Sequence, residues 1–229
     1  MMMLDNGVER RTPPKKAGVV SRGVTVTGQL VLPVLGLFGA LGLAWACRSY
    51  VATDFRFLAG LHPSLDLRDG WLTWGVLLLP CVFFVLNLTS RRYGPAITFA
   101  AVLLVWGFLA GGIALALRQD AISSFEAIAS PRSAAALVGA MFLGQIVNIY
   151  LFDWFRGIPW WKAPLVAAFC GGLVFTAVFH TAMGGDWNAG TLPRLGVLGA
   201  VQFIWALSQL APTQLLRRAI RPESGYGGA

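Results

Sequence analysis

The sequence predicts an all-α, polytopic integral membrane protein, with six transmembrane helices in one bundle and both termini in the cytoplasm. Three observations lead there. Hydrophobic residues make up 56% of the 229 and charged residues only 12%, about half the share typical of a soluble domain. The apolar residues collect into six segments, each close to the ~20 residues a helix needs to cross ~30 Å of hydrocarbon at ~1.5 Å per residue. Finally, Lys and Arg alternate in density from one connecting segment to the next.

The elements follow in order. Residues 1–27 are polar and, at Arg11-Thr12-Pro13-Pro14-Lys15-Lys16, basic and proline-containing, which predicts a flexible cytoplasmic tail. It is not read as a cleavable signal, because the apolar run that follows is of full spanning length and lacks a small-residue cleavage site. The transmembrane domain covers 28–216, with spans at 28–47, 71–89, 95–117, 133–152, 163–184 and 195–216. Pro80 and Pro212 fall inside spans two and six, where each removes a helical hydrogen bond. Gly107 and Gly111 place two small residues one turn apart in span three, a weak signal for close helix packing. The segment 121–129 is read as a short amphipathic helix on the external surface, and 217–229 as a cytoplasmic tail. Trp154, Trp160 and Trp161 mark one membrane boundary, and Trp71, Trp74 and Trp187 the other.

Orientation comes from the basic residues. The N-terminal tail, the second and fourth loops and the C-terminal tail hold twelve of the eighteen, among them Arg91, Arg92, Arg156, Lys162, Arg217 and Arg218. The other three loops hold Arg48, Arg56, Arg68, Arg118, Arg132 and Arg194, interleaved with acids. Loops rich in Lys and Arg stay inside, so a multi-pass protein of the cytoplasmic membrane with both ends in the cytoplasm is expected. The same placement accounts for the net charge of +8 without nucleic acid, and no nucleic-acid-binding motif accompanies it.

Composition also narrows the chemistry. Cys47, Cys81 and Cys170 lack metal-ligand spacing and read as small apolar residues, and the two histidines, His62 and His180, are far apart in sequence. There is no His-Glu-x-x-His, no Walker-type glycine loop and no nucleophile elbow. No metal, cofactor or enzymatic activity is expected. Function is instead sought in polar side chains within apolar spans, since these rarely face lipid. Asn87 and Arg91 are four apart in span two, and Gln145 and Asn148 three apart in span four, with Asp153 at its end. Thr176 and His180 share a face of span five, and Gln202 and Gln209 a face of span six. Each can serve as interhelical packing glue worth roughly 0.6–2 kcal/mol. Together they suit a cavity for a hydrophilic solute, with Asn87, Gln145, Asn148, Thr176, His180 and Gln202 as its lining. Arg91 and Asp153 are the candidate charged residues at its cytoplasmic end, Asp153 paired locally with Arg156 or with Arg91.

Two stretches carry a resemblance. Pro80-Cys81-Val82-Phe83-Phe84-Val85-Leu86-Asn87-Leu88-Thr89-Ser90-Arg91-Arg92-Tyr93-Gly94 and Gly144-Gln145-Ile146-Val147-Asn148, with Phe152, Phe155-Arg156 and Trp160-Trp161-Lys162-Ala163-Pro164, resemble signature helices of the VUT family of vitamin uptake and queuosine precursor transporters. Leu210-Ala211-Pro212 with Arg217-Arg218 is a weaker match to that family's last span. The similarity covers about residues 70–220 and implies six spans, both termini inside, and import of a 7-deazaguanine queuosine precursor or a comparable small heterocycle. The family's acids in spans two and four fall on Asn87, Arg91 and Asn148, its Asp-Thr pair on Phe175-Thr176, and its span-six Asp and Lys on Leu198 and Gln202. The scaffold is kept and most charges are lost, so a neutral pocket is expected. Besides the bilayer and a solute, a homo-oligomer or a partner subunit is left open. The alternative to import is a non-transporting membrane subunit, similar to the S-components of energy-coupling importers, that acts with such a partner.

Overall fold

The computed structural model describes residues 19–118, 131–157 and 159–220. The predicted helix at 121–129 and most of both tails lie outside them. Seven helices are described: α1 (Val19–Ala46), α2 (Trp74–Leu78), α3 (Cys81–Arg118), α4 (Pro131–Trp154), α5 (Lys162–Ala182), α6 (Leu192–Ser208) and α7 (Leu210–Leu216). Among the described residues, five stretches are long and apolar enough to cross a membrane: Thr27–Ala46, Trp74–Gly112, Arg132–Trp154, Lys162–Ala182 and Leu192–Leu216. Predicted spans four and five coincide with α4 and α5 to within two residues, whereas α1 begins nine residues ahead of predicted span one. Predicted spans two and three together form the single stretch Trp74–Gly112.

Within α3, helical geometry breaks once. Gly94 takes φ +80° and ψ 176°, just before Pro95. Proline disfavours the α conformation in the residue before it, and only glycine enters this corner of backbone space at low cost. The chain reverses there. Ser90 Oγ donates to Thr98 Oγ1 at 3.1 Å, and Thr98 Oγ1 donates to Gly94 O at 2.8 Å. In a straight helix residues eight apart would be separated by ~12 Å of rise. Both arms of α3 also reach the same stretch of α1. A Cβ built on Gly36 would lie 3.0 Å from Val85, and the Phe38 and Phe108 rings have centroids 6.3 Å apart. Gly94→Ala is therefore expected to destabilise the protein by about 1–3 kcal/mol, read as a lower unfolding midpoint in detergent.

Burial follows helical faces. On α1, Leu37, Ala40 and Ala44 are buried, while Leu32 and Leu35 are 71% and 62% exposed. The main core joins Leu37, Val82, Phe83, Leu86, Val102, Met141 and Ala168, from α1, both arms of α3, α4 and α5. The exposed leucines extend along the outside of the bundle, an arrangement suited to lipid and costly in water.

α4 and α5 cross at two glycines. A Cβ on Gly144 would lie 2.6 Å from Gly171 O, and a Cβ on Gly171 would lie 2.7 Å from Gly144 O. Each glycine thus accommodates the other's carbonyl, and the two backbones approach more closely than any side chain would permit.

The segment between α1 and α2 is more structured than a loop. Val51 and Thr73 form an antiparallel bridge, and Ala52 N–H donates to Leu72 O at 3.0 Å. Between them, 3₁₀ turns at Thr53–Gly60, Pro63–Leu65 and Leu67–Asp69 enclose a small apolar core of Ala52, Leu58, Leu65, Leu67, Leu72 and Leu77. Val197, Leu198 and Val201 of α6 pack against that core. Arg194 of α6 fastens this cap: Nε donates to Ser64 O at 2.5 Å, and a terminal nitrogen pairs with Asp69 at 2.7 Å.

Candidate functional site: a buried amide network

The apolar bundle closes around polar side chains. Asn87, Gln145 and Asn148 are each no more than 1% exposed, and Thr176, Gln202, Gln209 and Thr213 are also buried. Asn87 is the hub. Its Nδ2 donates to Pro164 O at 3.1 Å and to Gln209 Oε1 at 3.0 Å, and its Oδ1 accepts from Asn148 Nδ2 at 3.2 Å. Gln209 Nε2 in turn approaches Pro164 O at 3.5 Å. One residue from each of α3, α4 and α5, and one from the α6–α7 junction, therefore meet through hydrogen bonds.

Local structure explains these positions. Pro164 lies in the first turn of α5, where its missing N–H costs the helix no hydrogen bond, and its carbonyl accepts from Asn87 of α3. Gln209 sits between α6 and α7, where Pro212 has no N–H to donate and the helix is interrupted. The close crossing of α4 and α5 seats Asn148 beside Gly171, whose added Cβ would come within 3.1 Å of the Asn148 Cβ.

The remaining predicted lining residues are distributed more widely. Gln145 Oε1 accepts from Trp106 Nε1 at 2.7 Å, tying α4 to the second arm of α3. Gln202 presses against Gly172, the next residue along α5 from Gly171. Thr176 donates to Gly172 O of its own helix at 3.0 Å. Three buried oxygens accept no hydrogen bond among the described residues: Asn148 Oδ1, Gln202 Oε1 and Thr213 Oγ1.

His180 is set apart. α5 ends at Ala182, so the imidazole reaches into the following loop, where Nε2 lies 3.2 Å from Asp186 O and the ring meets Trp187 edge-on at 5.2 Å. Uptake by His180→Gln is expected to match the wild type between about pH 5.5 and 8, because no network member depends on that ring.

The charged residues gather beyond the amides. Asp153 pairs with Arg156 at 3.0 Å, the local bridge of the two pairings weighed from sequence, and Arg156 also donates to Ser90 O at 3.1 Å. Arg91 Nε donates to Ile220 O at 3.4 Å, and Arg217 lies over the Trp160 ring. Gln209, Pro164 O and Trp106 were not among the predicted site residues. Gln209 shares its helical face with Gln202, and Trp106 is a tryptophan in mid-span rather than at a boundary, so each left a trace in the sequence. A backbone carbonyl leaves none.

Among the described residues, no group of three or more His, Cys, Asp or Glu could hold a metal ion. A family model described as "Putative vitamin uptake transporter" matches residues 73–211, more than half of the chain. The chain belongs to this vitamin uptake transporter family. No curated protein and no solved structure matches it. Every member of the amide network falls inside the family match, from Asn87 to Gln209. α1 and most of the cap precede it. Membership of a transporter family, with five long apolar helices, makes this a multi-pass membrane protein of transporter type.

Proposed function

We propose that this protein imports a small hydrophilic heterocycle, of the 7-deazaguanine queuosine-precursor class, across the cytoplasmic membrane without altering it chemically. The observation that carries this reading is the buried network of Asn87, Asn148 and Gln209, which joins elements from across the bundle and ends in the unmet acceptor of Asn148. Polar groups in an apolar bundle stay buried only when satisfied, and a passing solute can satisfy them. Gln145, Gln202 and Thr176 extend the polar surface, and Trp106, held by Gln145, offers a ring face for stacking. Arg91 and Asp153 serve at the cytoplasmic end.

The same reading has the chain cross the membrane six times with both termini inside. In support, Trp74–Gly112 contains 39 residues, which as straight helix would extend ~58 Å, nearly twice the hydrocarbon thickness. The reversal at Gly94 divides it into two crossings. The Lys and Arg bias of the connecting segments then sets the orientation.

The test is complementation of a host that can neither make nor import queuosine precursors, supplied with 7-cyano-7-deazaguanine and read as queuosine in its tRNA. Wild type restores the modification and Asn148→Ala does not. Failure of the wild type to restore it, when present in the membrane, contradicts the proposed substrate.

A further inference from the structure

We infer that Asn148 is a specificity-determining residue that presents only an acceptor to the solute, so that the site selects an uncharged N–H donor over an ammonium group. This rests on the import reading above and adds to it the chemistry of the solute atom that Asn148 meets.

The direction of the network is fixed by one atom that cannot be turned round. Pro164 O is a backbone carbonyl and can only accept. Asn87 approaches it at 3.1 Å, so the end of the Asn87 amide facing it is Nδ2. The opposite end is then Oδ1, which can only accept, and Asn148 approaches that oxygen at 3.2 Å. Asn148 must therefore offer its Nδ2. A flip of either amide, ordinarily a free choice when oxygen and nitrogen look alike, would place two acceptors or two donors face to face. What remains of Asn148 is Oδ1, fully buried and accepting nothing among the described residues.

Gln202 Oε1 is also buried without a partner, but it lies against Gly172 on a different side of α5 from Gly171, which the Asn148 Cβ meets, so the acceptor in question is that of Asn148 alone. Among the described residues Asn148 meets no carboxylate: Asp153, five residues along α4, is partly exposed and paired with Arg156. An N–H of a neutral heterocycle would complete the hydrogen bonding of Asn148. An ammonium would be desolvated beside amides alone, without the counter-charge that burial of a cation requires.

Equilibrium binding to the full-length protein in nanodiscs distinguishes the cases, with 7-cyano-7-deazaguanine as the uncharged probe and 7-aminomethyl-7-deazaguanine as the ammonium probe. Wild type is expected to bind the cyano compound at least about tenfold more tightly. Asn148→Leu removes the acceptor and weakens cyano binding by about tenfold or more, whereas Asn148→Asp moves the ratio at least about tenfold towards the ammonium probe. Equal or tighter binding of the ammonium probe by wild type overturns the inference while leaving the import reading intact. Unchanged cyano binding by Asn148→Leu also overturns it, and an unchanged ratio in a folded Asn148→Asp does the same. Binding of neither probe overturns both the inference and the reading on which it rests. If Asn148→Asp does not fold, the wild-type ratio and Asn148→Leu decide.

Discussion

Gly171→Val is expected to yield no correctly packed protein. A Cβ at this position would lie 2.7 Å from Gly144 O, 3.1 Å from the Asn148 Cβ and 3.1 Å from the Phe83 ring. The first of these is backbone of a neighbouring helix and cannot swing aside, so α4 and α5 must separate. Separation would break the largest helix contact and pull Asn148 away from Asn87. Overpacking of a fitted core costs about 1–3 kcal/mol, and the loss of buried hydrogen bonds adds to it. In a domain whose whole stability is commonly about 5–15 kcal/mol, this is a large share. The measurement is the folded fraction by size-exclusion of a fluorescent fusion. Gly139→Ala is the control on α4. A Cβ there would meet nothing within 4 Å, and alanine favours the helix by about 0.5–1 kcal/mol, so the same assay should show unchanged or improved recovery.

Asn87→Leu carries the second large effect. Leucine occupies similar space but gives up both donated bonds, to Pro164 O and Gln209 Oε1, and the bond accepted from Asn148. Asn148 Nδ2 and Gln209 Oε1 would then be buried with fewer partners, at about 1–3 kcal/mol for each group left unsatisfied. Uptake is expected to fall to the vesicle background, with a lowered melting midpoint. Gln209→Leu removes one node of the network rather than its centre, and its midpoint should fall less. Asn87→Asp, which puts the VUT family's acid at this site, would be no remedy. An ionised carboxylate would face Pro164 O and Gln209 Oε1 with nothing to donate. Equal midpoints for wild type and Asn87→Leu would show that the network contributes neither order nor stability.

How much of this was legible in the sequence differs from element to element. α4 and α5 were placed closely because tryptophans, charges and prolines bound their apolar runs. The division between predicted spans two and three was visible in Tyr93-Gly94-Pro95, where glycine permits and proline enforces a break. The cap was not visible. Leu58, Leu65, Leu67 and Leu72 sit among Asp, Arg and Gly with no helical or strand period, and they share one core with Ala52, whose N–H donates to Leu72 O across the segment. Asn87 and Asn148 stood out individually as amides in apolar spans. Their bond joins positions 61 residues apart and depends on how closely α4 and α5 approach, which spacing along one helix does not report. Of the two glutamines on the last span, the one at the helix interruption joined the network. That choice depends on the position of Pro164 O, a backbone atom. His180 lies in the last turn of α5, inside the apolar stretch Lys162–Ala182, and its contacts with Asp186 O and Trp187 of the following loop are ones that spacing along one helix does not report.

In the import reading, a small polar heterocycle crosses this bundle by way of Asn148. The most direct measurement is uptake of labelled 7-cyano-7-deazaguanine into proteoliposomes containing the purified protein alone, compared with Asn148→Leu reconstituted to the same density. Time-dependent, saturable accumulation by wild type, reduced by about tenfold or more in the variant, is the predicted result. Equal uptake by the two proteins, or wild-type uptake no greater than that of protein-free vesicles, would contradict it.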